Sequence, residues 1–113
     1  MTPPYVPGAG DLVWITFNPQ AGREQRGRRP GLILSPRSYN ERAGLALACP
    51  VTSHVKGYPF EVRLPEDGVI TGAILTDHVR SLDWRQRDAE FVAVAGEATL
   101  NEVREKLRPL LGL

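Results

Sequence analysis

Leu12-Val-Trp-Ile-Thr-Phe17 is the stretch that decides the fold, because five of its six residues are β-branched or aromatic. Residues of this kind favour extended backbone, and the absence of charge predicts a buried strand. Asn18-Pro19 follows and ends that strand. The chain is therefore predicted to enter a sheet within its first twenty residues.

Further short strands are predicted along the chain, because apolar runs alternate with glycine and proline. The chain has 11 Gly and 10 Pro residues, which favours many turns over long helices. Residues 37–42 are expected to form a single helical turn. The remaining predicted strands are Leu32–Leu34, Leu45–Cys49, Phe60–Leu64, Val69–Ile70, Ala73–Leu75 and Phe91–Ala95.

The C-terminus carries the one convincing helical pattern. Apolar residues recur at helical spacing from Leu100 to Leu111. Thr99 and Glu102 match a capping box, and Pro109 is expected to bend or end the helix early. The fold class predicted from these elements is α+β and mostly β, a barrel-like antiparallel domain with a C-terminal helix spanning residues 1–113.

Composition excludes several classes of protein. A chain of 113 residues with 42% apolar and 24% charged residues is typical of one globular domain and not of a disordered segment. The longest apolar run, Phe91–Ala95, is far short of the roughly 20 residues that span a bilayer. Cys49 is the single cysteine, so we expect no internal disulfide and a reducing, cytoplasmic setting without membrane attachment.

Motifs for metals, nucleotides and covalent nucleophiles are missing from the sequence. It has no phosphate-binding loop ending in Lys-Ser/Thr, no Cys/His zinc spacing, no His-Glu-x-x-His and no nucleophile elbow. We therefore expect no metal and no cofactor.

Arginine dominates the basic residues, with twelve Arg against two Lys. Residues 18–42 hold six Arg and two Glu, a charge of 6 − 2 = +4 in one segment. Residues 20–29 are expected to form an exposed, mobile loop. Its charges either keep the surface soluble or bind a phosphodiester through guanidinium groups. Arg29 is the most promising of them, because it adjoins the strand that resumes at Pro30.

Two later segments carry side chains suited to RNA. Thr52 and Ser53, in Pro50-Val-Thr-Ser-His54, can donate hydrogen bonds to phosphate oxygens, or Thr52 can simply satisfy backbone groups of a turn. Residues 77–87 interleave cationic, polar and aromatic side chains that can stack on unpaired bases. The structural alternative there is a Trp84 in the core and a His78 without a catalytic role.

Several segments in order along the chain resemble the MazF/PemK family of toxin endoribonucleases, in particular its MazF branch. The match extends from Tyr5 almost to the end of the chain. The segments that carry it are Gly10-Asp-Leu-Val-Trp14, Gly22-Arg-Glu-Gln25, Arg29-Pro30, Leu34-Ser-Pro36, Tyr39-Asn40, Pro50-Val-Thr52, Lys56-Gly-Tyr-Pro-Phe-Glu-Val62, Asp77-His-Val-Arg-Ser-Leu82 and Trp84-Arg85.

The resemblance implies a small SH3-like barrel that dimerises and cleaves single-stranded RNA within a short base sequence, without a metal. It implies 2′,3′-cyclic phosphate and 5′-hydroxyl products. It also implies inhibition by a MazE-like antitoxin with an acidic C-terminal tail, with operator DNA bound only through that antitoxin. The catalytic residues carried over are Arg29, Thr52 and Glu24. The residues expected to bind RNA are Asn18, Arg23, Gln25, Arg28, Ser53, Lys56, Asp77, His78, Arg80, Trp84, Arg85 and Arg87.

The sequence departs from the family pattern at Arg23, Arg28 and His78. These departures bear on which bases are recognised more than on the chemistry. Two other functions stay open at this point: a non-catalytic toxin resembling the gyrase poison CcdB, and an RNA-binding barrel without turnover. The CcdB alternative is weakened because its tryptophan-containing C-terminal end is absent here.

Overall fold

The computed structural model describes residues 4–18 and 27–113, which form seven strands and two α-helices. A 3₁₀ turn at Thr76–His78 lies between the fifth and sixth strands. The bounds are Asp11–Thr16 (β1), Arg28–Ile33 (β2), Arg37–Ala43 (α1), Ala46–Thr52 (β3), Glu61–Arg63 (β4), Ala73–Leu75 (β5), Arg80–Leu82 (β6), Glu90–Val94 (β7) and Glu97–Leu111 (α2).

The strands form one antiparallel sheet in the order β4-β5-β3-β2-β1-β7. β3 is paired along both edges, with β2 on one side and with β5 and β6 on the other. Among the described residues the end strands β4 and β7 do not pair with each other. The predicted fold class is confirmed, although the sheet is not a closed barrel.

Pro50 lies inside β3, where the sequence predicts a turn. It is paired with Gly31 of β2, while the opposite edge of β3 pairs with β6 through Ala48 and resumes with β5 at Val51. The missing N–H of the proline falls in the gap between β6 and β5, so no hydrogen bond of the sheet is lost there. The strand predicted to end at Cys49 therefore continues to Thr52.

Apolar side chains fill two clusters on opposite faces of the sheet, because neighbouring strand residues point to opposite faces. The first cluster includes Leu32, Cys49 and Ile74, and α2 covers it with Leu100, Val103 and Leu107. The second cluster comprises Val13, Ile15, Phe17, Ile33, Ala46, Ala48, Leu82 and Trp84. Alternation along β1 to β3 thus builds both cores from the same strands.

Several predicted details are wrong. Arg28 and Arg29, which were predicted to lie in a loop, belong to β2. Residues 69–70 form bends and no strand, whereas β6 was not predicted. α2 begins at Glu97 behind Gly96, so Thr99 lies inside the helix and does not cap it. Pro109 does not end the helix early: it lies in the last turn, α2 continues to Leu111, and Gly112 caps it with a left-handed backbone.

Gly72 allows the chain to pass close to the end of β3. Its φ of 109° is disfavoured for other residues, and a Cβ atom there would lie 2.1 Å from the carbonyl oxygen of Thr52. This distance is far below van der Waals contact. The backbone fixes both the Cβ atom and the carbonyl oxygen, so neither can rotate away from the other. A glycine at position 72 therefore sets the position of Thr52.

Neither helix of the described residues has the length and hydropathy that a bilayer crossing requires.

We predict that Gly72→Ala lowers the free energy of unfolding by at least about 2 kcal/mol, because it combines backbone strain with a steric clash. Gly44→Ala is the matched control, since Gly44 also has a positive φ, of 70°, but nothing lies within 4 Å of its Cβ position. The control should lose only about 1 kcal/mol. Urea denaturation of both variants measures the difference. Equal losses would show that the approach to Thr52 is not tight.

Candidate active site at the ends of two paired strands

A cleft of about 390 Å³ opens where β2 begins and β3 ends. Gly31 pairs with Pro50, and extending this antiparallel register by two residues sets Arg29 opposite Thr52. On the other edge of β2, Arg29 pairs with Ile15 of β1. The lining residues are Trp14, Arg28, Arg29, Pro30, Val51, Thr52, Ser53, His54 and Thr71. The sheet register thus brings two predicted catalytic residues to one cleft.

Arg29 and Thr52 both retain hydrogen-bond donors for a ligand. The Arg29 side chain makes no hydrogen bond or ion pair to another residue of the described segments 4–18 and 27–113. The Thr52 hydroxyl accepts a hydrogen bond from the backbone N–H of His54 at 3.1 Å. That contact uses an oxygen lone pair and leaves the hydroxyl proton available. Thr52 therefore fulfils the structural alternative considered above and can still donate to a phosphate.

A second cleft of about 450 Å³ adjoins the first and shares Thr52 and His54 with it. The Glu61 carboxylate stabilises its wall by accepting hydrogen bonds from the backbone N–H groups of Lys56, at 3.1 Å, and Gly57, at 2.8 Å. Its lining residues are Thr52, His54, Lys56, Tyr58, Glu61, Leu75, Asp77 and His78. The predicted residues Lys56, Asp77 and His78 therefore lie beside the Arg29 cleft.

Trp84 is not a platform for RNA bases, which corrects the sequence prediction. The side chain is 4% exposed and belongs to the second apolar cluster. Its Nε1–H donates to the backbone carbonyl of Asn40 at 2.9 Å. The outward neighbour Arg85 covers the indole, with its guanidinium carbon 4.6 Å from the ring centroid. A base has no access to this ring.

Arg28 and Arg87 have structural contacts where the sequence predicts RNA binding. The Arg28 guanidinium donates to the carbonyl of Asp88 at 2.6 Å and pairs with Glu90. The Arg87 guanidinium donates to the carbonyls of Thr16, at 2.9 Å, and Phe17, at 2.7 Å. Both side chains tie the start of β2 and the end of β1 to residues 87–90. We therefore assign them a bracing role, although Arg28 also borders the cleft.

The other predicted RNA-binding residues divide into three groups. Ser53 lines the Arg29 cleft. Arg80 and Asn18 are exposed and contact each other, with a 3.2 Å hydrogen bond from Arg80 to the Asn18 side-chain oxygen. Arg23 and Gln25 lie outside the described residues, as does Glu24, the third residue predicted to be catalytic.

Cys49 sits on β3, three residues before Thr52, but is not available as a nucleophile. The thiol is fully buried, and its Sγ lies 3.7 Å from the carbonyl oxygen of Thr76. Burial raises the pKa of the Cys49 thiol to about 12, with a smaller contribution from the charge of Asp77. The protonated thiol neither attacks phosphorus nor binds a metal.

His54 and Trp14 line the Arg29 cleft but were not among the predicted site residues. Trp14 was assigned to a buried strand, yet 41% of its side chain is exposed. His54 closes the segment Pro50–His54, which the sequence analysis selected for its hydroxyl groups. The chain has only two histidines, and both line the second cleft, but only His54 also lines the Arg29 cleft and contacts Thr52. The available signal in the sequence was the residue type itself: histidine is suited to proton transfer near neutral pH, and only two positions had to be considered.

A family model described as "PemK-like, MazF-like toxin of type II toxin-antitoxin system" matches residues 9–111. The chain belongs to this family. Among relatives of the PemK/MazF family, the endoribonuclease toxin MazF of Escherichia coli (strain K12) is 42% identical over 111 residues, covering 96% of both chains.

Solved structures of the PemK/MazF family share the fold described above. A crystal structure of MazF from Deinococcus radiodurans (Form I) superposes with a TM-score of 0.89 and 60% identity, covering 97% of this chain and 100% of that one. A MazE–MazF structure from the same organism (Form II) gives a TM-score of 0.87 at 55% identity, covering 97% of this chain and 99% of that one.

Proposed function

We propose that this chain is the toxin of a type II toxin–antitoxin system and a sequence-specific endoribonuclease that cleaves single-stranded RNA, which stops translation and growth. The observation that carries the proposal is the cleft that joins Arg29 of β2 to Thr52 of β3. Membership of the PemK/MazF family and the 42% identity to an endoribonuclease toxin support the same activity. Residues 1–113 are proposed to form one toxin domain.

The proposed chemistry is attack of the neighbouring 2′-hydroxyl on phosphorus. The O2′–P bond forms, the P–O5′ bond breaks, and the products carry a 2′,3′-cyclic phosphate and a 5′-hydroxyl. Three demands follow: the 2′-hydroxyl must lose its proton, the phosphorane must be stabilised, and the leaving oxygen must gain a proton. Protein side chains meet these demands in the proposed mechanism, without a metal or a cofactor.

Arg29 is proposed to stabilise the phosphorane, because preorganised donors aimed at developing charge contribute most to catalysis of this kind. The Thr52 hydroxyl donates a hydrogen bond to a non-bridging oxygen. The guanidinium is a poor base, since it keeps its proton at any physiological pH. We propose Glu24 as the base that removes the 2′-proton, on the strength of the family resemblance, with its position lying outside the described residues.

RNA is proposed to bind unpaired. In-line attack needs O2′, phosphorus and O5′ on one axis, which stacking in an A-form helix prevents. Bases that are read by side chains must also be turned out of the stack. The second cleft, with Lys56 and His78, is the proposed place where neighbouring nucleotides are recognised. Arg23, Gln25, Asn18, Ser53, Asp77, Arg80 and Arg85 complete the proposed RNA surface.

We predict that Arg29→Ala slows cleavage of a long unstructured RNA at least about 10²-fold, as the loss of one oxyanion donor does elsewhere. Thr52→Ala should cost less, about tenfold, and Thr52→Ser should retain most of the rate because it keeps the hydroxyl. Arg104→Ala, on the exposed side of α2, is the matched control with unchanged cleavage. Cleavage should persist in excess EDTA.

Fragment mapping by gel electrophoresis reads out both the rate and the cleavage sites. A near-normal rate for Arg29→Ala, or loss of cleavage on chelation, would overturn the mechanism. A mobility shift of the RNA without fragments would instead support the alternative of a non-catalytic RNA-binding protein.

We further propose that the chain is a cytoplasmic homodimer that binds a MazE-like antitoxin through an acidic C-terminal tail. Operator DNA is bound only through that antitoxin. The MazE–MazF structure of the Deinococcus radiodurans relative supports an antitoxin of this class. The arginine-rich residues 18–42 supply the positive charge that attracts an acidic tail.

The tail and the RNA should compete, because both are anionic and are proposed to bind the same arginines. Titrating Deinococcus radiodurans MazE against a fluorescent, 2′-deoxy-blocked RNA bound to this chain should release the RNA stoichiometrically. MazE truncated before its C-terminal tail is the control and should release little. A ternary complex at saturation would contradict competition.

Light scattering at micromolar concentration should give twice the mass of one chain, and a monomer would contradict the homodimer.

A further inference from the structure

His54 lies where the two clefts meet. Its side chain lines the Arg29 cleft as well as the second cleft, and its backbone N–H donates to the Thr52 hydroxyl at 3.1 Å. The imidazole is therefore carried by a residue that is tied directly to the proposed phosphate-binding hydroxyl. It is also exposed to solvent.

His54 is the one residue lining the described part of the Arg29 cleft that belongs to a residue type suited to general acid catalysis near neutral pH. The arginines keep their protons, and the hydroxyl groups and the indole do not ionise in this range. In the second cleft Glu61 is engaged with backbone N–H groups, and Asp77 lies beside His78. The described residues thus offer one imidazole next to Thr52 for proton transfer.

The charge next to His54 changes when RNA binds. Arg28 and Arg29 line the Arg29 cleft with His54, and their positive charges disfavour an imidazolium. The second cleft contributes the charges of Lys56, Glu61, Asp77 and His78. A phosphodiester held at Thr52 adds a negative charge next to the imidazole. Because an adjacent opposite charge favours the charged form, the bound substrate stabilises the imidazolium.

We propose that His54 is the general acid that protonates the leaving 5′-oxygen. As the O2′–P bond forms and the P–O5′ bond breaks, the electron pair of the breaking bond takes the proton of the imidazolium, leaving a 5′-hydroxyl and a neutral His54. The 2′-proton leaves to the base, and solvent restores both groups. This inference rests on the proposed function and assigns the one proton transfer that Arg29, Thr52 and Glu24 leave open.

The test compares two RNA substrates of one sequence, one natural and one with sulfur in place of the bridging 5′-oxygen. A thiolate leaves without protonation because thiols ionise near pH 8.5, whereas an alkoxide requires an acid. His54→Gln should slow cleavage of the natural RNA about 10²-fold and cleavage of the sulfur-bridged RNA less than about threefold. Arg29→Ala should slow both substrates, because stabilisation of the phosphorane does not depend on the leaving group.

A pH profile gives a second readout. The natural RNA should be cleaved more slowly as alkaline pH removes the imidazolium proton, and His54→Gln should lose this alkaline decline. The sulfur-bridged RNA should lack the decline even with the wild-type chain. Circular dichroism confirms folding of the variant, and Arg104→Ala serves as the surface control.

Two results would overturn the assignment. Equal slowing of both substrates by His54→Gln would make the residue a base or a binding group, and no slowing of either would leave it without a role in catalysis. Failure of the proposed function is a separate outcome, since the wild-type chain would then leave the natural RNA intact.

Discussion

The pairing of β2 with β3 is the constraint on which the site depends. It aligns the first residues of one strand with the last residues of the other. The register, extended by two residues beyond the Gly31–Pro50 pair, sets Arg29 opposite Thr52, and both line one cleft. β3 holds this register because it is paired on its other edge as well. A strand fixed on both edges can hold side chains in place for electrostatic catalysis without reorganisation.

Residues around this pair hold the strand ends at the cleft in position. Gly72 permits a backbone approach that no other residue allows, and Arg28 and Arg87 bind the end of β1 to the segment before β7. These contacts are made to backbone carbonyl groups, so they fix the geometry of the chain. Within residues 4–18 and 27–113, no group accepts a hydrogen bond from the Arg29 side chain or from the Thr52 hydroxyl, which separates the bracing residues from those proposed to touch RNA.

Local patterns in the sequence predicted much of the fold and part of the site. β1 and α2 follow from their β-branched content and helical spacing, and Arg29 and Thr52 from the family resemblance. The pairing of Pro50, the strand β6 and the burial of Trp84 depend on contacts between distant residues, which no local pattern records. The bracing role of Arg87 was missed for the same reason, since its partners are main-chain oxygens about 70 positions away.

A structure of the chain with an RNA that lacks the attacking hydroxyl, through a 2′-deoxy nucleotide at the scissile position, tests the central claim most directly. The account predicts that the scissile phosphate lies between the Arg29 guanidinium and the Thr52 hydroxyl, with each donor about 3 Å from a non-bridging oxygen. A scissile phosphate bound away from both side chains would contradict it.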